Sequence, residues 1–314
     1  MKKFIKHIFF FGGLAFVGVN LLLLFGGLGN HFAGGINQKH ERLAAANSPK
    51  VVLVGGSGVS YGYDTERLEE ALGMPVVNMG VFGQLGLRYM LEEIKVDIHS
   101  GDYILVIPEY HQFYYFFDGW RGLNELLLVR PQAVFDITSV KQWKTLAKTF
   151  PRFYKTKLKG IKASMERSFA HLKTGNTLYN SYGDIIGHHG SDKVYPIDSL
   201  SMFNSFIDTS RLEINKEAVQ VFGAFVQEMK KKGATTGLVY PTLPTKEYDR
   251  FQHRIIPLEN QLVAIPDLKI INRPTDELLP NEAFYDTVYH LRAAAAKERT
   301  ERLLGYLGEV GFVR

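Results

Sequence analysis

Cysteine is absent from the 314-residue chain. That excludes disulfides, thiol catalysis and thiolate metal sites, and leaves the compartment open. Phosphate-cradling glycine patterns are missing too: neither GxxxxGK[ST] nor GxGxxG surrounds the conspicuous Gly-Gly-Ser-Gly at 55–58. There is no zinc knuckle, no internal repeat and no low-complexity segment. Charge of one sign does not dominate. Thirty-seven Lys and Arg face 32 Asp and Glu, a formal net charge of +5 that suits an anionic surface or substrate and is too small to argue for nucleic acid.

What is present is apolar. Hydrophobic residues make up 46% and aromatics 13%, enough for a packed core and against disorder. From Ile8 to Gly29 no residue is charged, and Asn20 is the one strongly polar member. About 20 such residues are long enough to cross a bilayer as a helix. Lys2, Lys3 and Lys6 precede the run, and no Lys or Arg follows until Lys39. The positive-inside rule then expects residues 1–29 to be a cytoplasmic tail and an uncleaved single-pass anchor. The remainder is expected outside the cell membrane. A cleaved signal peptide fits less well, because no small-x-small cleavage site follows. Residues 30–49 read as a linker or short helix, and 50–314 as one domain.

Within that domain strand and helix alternate. Val51 to Val54 is a continuous apolar run bounded by glycines, as in a strand buried on both faces. Helices follow at 65–72 and 85–96, strands at 75–80 and 101–108. After an interruption at about 119–208 come a helix (211–232), a strand (235–240), a helix (255–264), a strand (268–272) and a terminal helix (292–307). This order predicts an α/β domain with a doubly wound, roughly five-stranded parallel sheet and a helical insertion. Ligands belong at the carboxyl ends of such strands.

Ser57 stands at one such end, flanked by glycines. The hydrolase elbow GxSxG fails at Val59. Two readings stay open, a glycine turn that carries a serine and a nucleophile presented to substrate. Far along the chain, His290 follows Asp286 just before the last helix. A histidine oriented by an aspartate is the general-base half of a serine triad.

These blocks resemble the SGNH (GDSL-like) hydrolase superfamily, and within it the membrane-anchored bacterial branch that serves cell-envelope acylation. Gly55-Gly-Ser57 is similar to its first block, Asn78-Met-Gly80 to its second, and Asp286-Thr-Val-Tyr-His290 to its last. The resemblance covers roughly 50–307 outside the insertion. It implies a three-layer SGNH/flavodoxin-like fold and acyl transfer by Ser57, His290 and Asp286, without metal or other cofactor. The chain departs from the family in three places. Gly56 replaces an Asp. The Asp-to-His interval is one residue longer. The Asn that the third block supplies to the oxyanion hole gives way to Pro108-Glu-Tyr-His-Gln112. Gln112 and the amides of Ser57 and Gly80 are then the expected oxyanion donors, with Asn78, Glu109 and Tyr110 on the substrate side. Glu109 has a second reading, as an ion-pair partner of Arg88 or Arg121.

The insertion carries a basic run. Lys141, Lys144, Lys148, Arg152, Lys155, Lys157, Lys159, Lys162 and Arg167 accompany a single acid, Glu166. It reads as a solvated helix face, or as a segment that lies on anionic lipid or holds an anionic polymer. Trp143, Phe150, Phe153 and Tyr154 interleave with the basic residues. The pair His188-His189 lacks a third ligand at metal spacing. The expected function is esterase or O-acyltransferase action on an envelope glycan, polyol or lipid ester. Alternatives are a non-catalytic subunit that scaffolds an integral membrane acyltransferase or polysaccharide exporter, and a lipid- or glycan-binding module.

Overall fold

A computed structural model of the chain describes residues 2–25, 31–167, 178–191 and 213–313. The expected anchor runs past Phe25 into 26–29, and the expected insertion includes 168–177 and 192–208; these stretches lie outside the described residues. So do the side chains of Lys159, Lys162, Glu166 and Arg167.

Ten helices and seven strands occur among the described residues, in the order α1 (Lys2–Phe25), α2 (His31–Ala45), β1 (Val51–Gly55), α3 (Ser57–Ser60), α4 (Thr65–Leu72), β2 (Val76–Asn78), α5 (Leu87–Glu92), β3 (Tyr103–Ile107), α6 (Gly122–Val129), α7 (Val140–Arg167), α8 (Lys216–Lys231), β4 (Thr235–Leu238), β5 (Leu243–Pro244), α9 (Thr245–Val263), β6 (Lys269–Ile270), β7 (Leu278–Leu279) and α10 (Ala293–Glu309). Five strands form one parallel sheet in the order β2-β1-β3-β4-β6. β5 and β7 pair separately, also in parallel.

The apolar run of β1 is buried on both sides, as its sequence predicts. Val51 and Leu53 pack with Leu68 of α4 and with Leu303 and Leu307 of α10 on one face. Val52 and Val54 face the other way, with Met90 of α5, Phe222 and Phe225 of α8 and Leu258 of α9. Each fully buried large aliphatic side chain contributes about 1.5–3 kcal/mol. The sheet is therefore clamped from both sides and its strand ends are fixed in space. The chain leaves β1 for opposite sides of the sheet, β2 on one and β3 on the other. The crevice of such a fold opens between the carboxyl ends of β1 and β3.

The stretch expected to link anchor and domain contains α2, which is part of the core. Ile36 and Leu43 are buried seven residues apart on one helical face. Lys39, on the same face, donates to Asn78 O at 2.9 Å, Gly183 O at 2.5 Å and Ser60 Oγ at 3.2 Å. α1 leaves Phe9, Phe10, Phe11, Leu14 and Phe16 exposed. Among the described residues no helix is long and apolar enough to cross a membrane.

The insertion begins with α6 and α7, joined where Asn124 Nδ2 donates to Thr149 Oγ1 at 2.7 Å. Its next described piece, 178–191, packs against α3, the start of α4 and the end of β2. Ile185 N donates to Ser60 O at 2.9 Å, and Asp184 accepts from Thr65 N at 2.9 Å and from Asn78 Nδ2 at 2.8 Å.

Candidate active site

Ser57 opens α3 directly after β1. Its glycine neighbours are there because other groups press against them. A Cβ on Gly55 would stand 2.6 Å from Val59 Cγ2, one on Gly56 2.6 Å from Glu109 Cδ, and one on Gly58 3.2 Å from Tyr289 Cβ. The turn is held by Tyr61 N donating to Ser57 O at 2.9 Å and by Arg299 Nη1 donating to Gly58 O at 3.3 Å. Arg299 comes from α10 and pairs with Glu277, Nε to Oε2 3.2 Å, so the last helix anchors the serine's turn.

His290 sits in a loop that closes on itself. Phe284 and Leu291 form an antiparallel bridge, and Tyr285 N donates to His290 O at 2.8 Å. Inside the loop Thr287 Oγ1 accepts from the amides of Tyr289 and His290, each at 3.2 Å. This tight winding brings Asp286 and His290, four residues apart, side by side. Asp286 Oδ1 lies 2.7 Å from His290 Nδ1, and Ser57 Oγ lies 2.7 Å from His290 Nε2. A carboxylate only accepts, so Nδ1 carries the proton toward Asp286 and Nε2 accepts from the Ser57 hydroxyl. Ser57, His290 and Asp286, brought from opposite ends of the chain, thus form one hydrogen-bonded line with the polarity of a serine triad.

Tyr61 and the insertion wall this line. The Tyr61 ring stacks on His290 with centroids 3.9 Å apart and planes at 7°. His188 lies 4.7 Å from Tyr61 between ring centroids, and its Nε2 donates to Leu291 O at 2.9 Å. Burial pushes the His188 imidazole down to about 4, so it is a neutral brace for the His290 loop. Among the described residues no group of three or more His, Asp or Glu is placed to hold a metal ion.

Two of the three expected oxyanion donors, Gly80 N and Gln112, are engaged within the protein. Gly80 N donates to Asn78 Oδ1 at 2.9 Å. Gln112 is fully buried, with Nε2 donating to Gly83 O at 3.3 Å and Oε1 accepting from Glu109 N at 3.0 Å. The Ser57 amide stands at the first position of its helix, where no intrahelical acceptor exists. Asn78 is buried as a tie to Asp184, and the Tyr110 side chain points into the core.

Glu109 pairs with neither Arg88 nor Arg121. Its carboxylate is buried against the serine's turn, with Oε1 3.5 Å from Gly58 N and Oε2 3.1 Å from His111 Nε2. Burial alone would raise its pKa. The hydrogen bond and charge of His111, the charge of His290 and the Gly58 amide outweigh that and hold it below the usual 4.5. Arg88 instead binds Asp118, at 2.7 Å, and Glu217.

Sequence reasoning passed over Tyr61, His111 and Gly83, and weighed His188 only as a metal ligand. Tyr61 follows Ser57 by four residues, one helical turn, and that spacing was the available signal. Gly83 packs a bare Cα against the Glu109 carboxylate: a Cβ there would stand 2.9 Å from Glu109 Cδ. The chain matches no protein-family model and no curated protein.

Proposed function

We propose that the protein is a membrane-anchored, extracytoplasmic serine esterase or O-acyltransferase of the SGNH type. The observation that carries this reading is the unbroken line from Ser57 Oγ through His290 to Asp286, both hydrogen bonds 2.7 Å long. Ser57 attacks the ester carbonyl carbon while its proton passes to His290 Nε2, and Asp286 steadies the imidazolium. The bond to the leaving alcohol breaks, and His290 returns the proton to that alcohol. Water or a sugar or polyol hydroxyl then attacks the acyl-serine, giving hydrolysis or transfer, and Ser57 is regenerated. This route draws on no cofactor.

The fold supports the reading by placing Ser57 at the crevice of a sheet with order β2-β1-β3-β4-β6. The apolar run from Ile8, preceded by Lys2, Lys3 and Lys6, supports an anchor with its N-terminus in the cytoplasm. Lys144, Lys148, Arg152 and Lys155 are exposed along α7 beside exposed Trp143 and Phe150, which supports an anionic glycan or lipid as the neighbour of the site.

A second reading, an SGNH-fold subunit that scaffolds a membrane acyltransferase, draws on the engaged amide of Gly80 and the engaged side chain of Gln112. A fluorophosphonate probe separates the two. The enzyme reading expects covalent labelling of the wild type and none of Ser57→Ala or His290→Ala. Equal labelling of His290→Ala and wild type would sink the triad.

A further inference from the structure

The carboxylate of Glu109 occupies ground that the chemistry of Ser57 needs. When a serine attacks an ester, negative charge develops on the carbonyl oxygen, beside the amides at the start of the nucleophile's turn. Here the Gly58 amide faces Glu109 Oε1 at 3.5 Å. The bare faces of Gly56 and Gly83 are filled by the same carboxylate, since a Cβ on either would stand 2.6 Å or 2.9 Å from Glu109 Cδ. This seat is built for an anion, and the anion in it belongs to the protein.

The groups around Glu109 keep it charged. His111 meets Oε2 at 3.1 Å, and His290, once it holds the serine's proton, adds a positive charge that favours the ionised carboxylate. Tyr115, from the stretch after β3, and Tyr289, from the His290 loop, also feel its charge. Gly56, Gly58 and Gly83 bring no titratable group. Resting on the nucleophile reading of Ser57, we infer that Glu109 is an electrostatic restraint on acylation. Its ionised carboxylate opposes the oxyanion and fills the space beside the Gly58 amide, and the His111 hydrogen bond keeps it there. Glu109 acts through the charge and position of its carboxylate and forms no bond to substrate.

The test is the second-order rate of fluorophosphonate labelling, measured for full-length protein across pH. In labelling, Ser57 Oγ bonds to phosphorus, fluoride leaves, and the serine's proton passes to His290. Glu109→Gln keeps the shape, removes the charge and places an amide N–H in the seat. It is expected to label faster than wild type by about tenfold or more at neutral pH, on the scale of one oxyanion donor. The rate ratio at a pH where His290 is neutral in both proteins reports the charge of Glu109 directly. The ratio is expected to close toward one at acid pH, as Glu109 of the wild type becomes protonated. In His111→Phe the carboxyl loses its hydrogen-bond donor and titrates at higher pH, so this variant is expected to outpace wild type at mildly acid pH.

If wild type labels and a folded Glu109→Gln labels equally or more slowly, the restraint is overturned and the nucleophile stands. If folded wild type and Glu109→Gln both fail to label, both readings fall together. Should Glu109→Gln not fold, His111→Phe decides: no gain over wild type at any pH overturns the restraint.

Discussion

The imidazole of His290 lies flat on the phenol ring of Tyr61, with centroids 3.9 Å apart and planes at 7°. A flat aromatic face fixes the swing of the imidazole between Ser57 and Asp286. It also favours the cation that His290 becomes when it takes the serine's proton. A cation over such a face is worth about 1–2 kcal/mol when partly desolvated. Tyr61→Leu is expected to slow Ser57 labelling by roughly five- to thirtyfold at constant pH. Tyr61→Phe retains the face and most of the rate. Equal losses in both variants would move the role to the hydroxyl.

Asp286 is the more exposed partner of the pair, its side chain 28% accessible against 10% for His290. Solvent around a carboxylate weakens its hold, yet the tautomer still depends on it. Asp286→Asn presents an amide that can donate to Nδ1, which leaves the proton on Nε2, the wrong nitrogen for accepting from Ser57. The expected loss in turnover or labelling is between about 10² and 10⁴, with little change in thermal stability. A loss below about threefold would mean that another group orients the imidazole.

The sheet and the meeting of Ser57 with His290 were legible in the sequence for the same reason. Continuous apolar runs such as Val51–Val54 are buried on both faces, so their type and order follow from composition alone. Ser57 and His290 follow from that order, because both precede a helix on the side of the sheet where the strands end. The oxyanion assignments needed information that no pattern holds. Gly80 lies near Ser57, but its amide is turned onto Asn78 Oδ1. Gln112 lies three residues past Glu109, yet its side chain folds back under its own turn. The role of α2 was hidden by a polar composition. Its face is set by Ile36 and Leu43 and by a lysine whose ammonium finds three buried acceptors from distant segments. The packing of the Glu109 carboxylate against Gly56 is a contact in space between separate strand ends.

The packing of Glu109 against Gly83 is testable as a coupling. The three atoms nearest to a Cβ on Gly83 all belong to the Glu109 carboxyl group, the carboxyl carbon at 2.9 Å. Gly83→Ala forces the carboxylate to move and is expected to destabilise by about 1–3 kcal/mol, as overpacking of a tight site does. Glu109→Ala removes the obstacle and leaves His111 without its acceptor. If the two groups share one space, the double variant loses less than the sum of the single losses by at least about 1 kcal/mol. Urea midpoints with unchanged slopes provide the comparison. Strict additivity would show that position 83 does not sense Glu109.

His188 gives the fold a pH dependence with a definite sign. Burial lowers its pKa from 6.5 to about 4, and its Nε2–H is committed to Leu291 O, the carbonyl next to His290. Between those two values the unfolded chain takes up a proton that the folded chain refuses. Stability therefore falls as pH drops through this window, and this group contributes no slope above it. His188→Gln keeps a donor for Leu291 O and removes the titration. Wild-type stability minus that of His188→Gln is expected to decline steadily from pH 6.5 to about 4 and then level. A charge on His188 also opposes the positive charge that His290 takes up with the serine's proton, so wild-type labelling is expected to fall more steeply than that of His188→Gln over the same range. A stability difference that stays flat from neutral pH down to 4 would mean that the histidine is hydrated in the folded protein. His188 would then be no brace for the His290 loop.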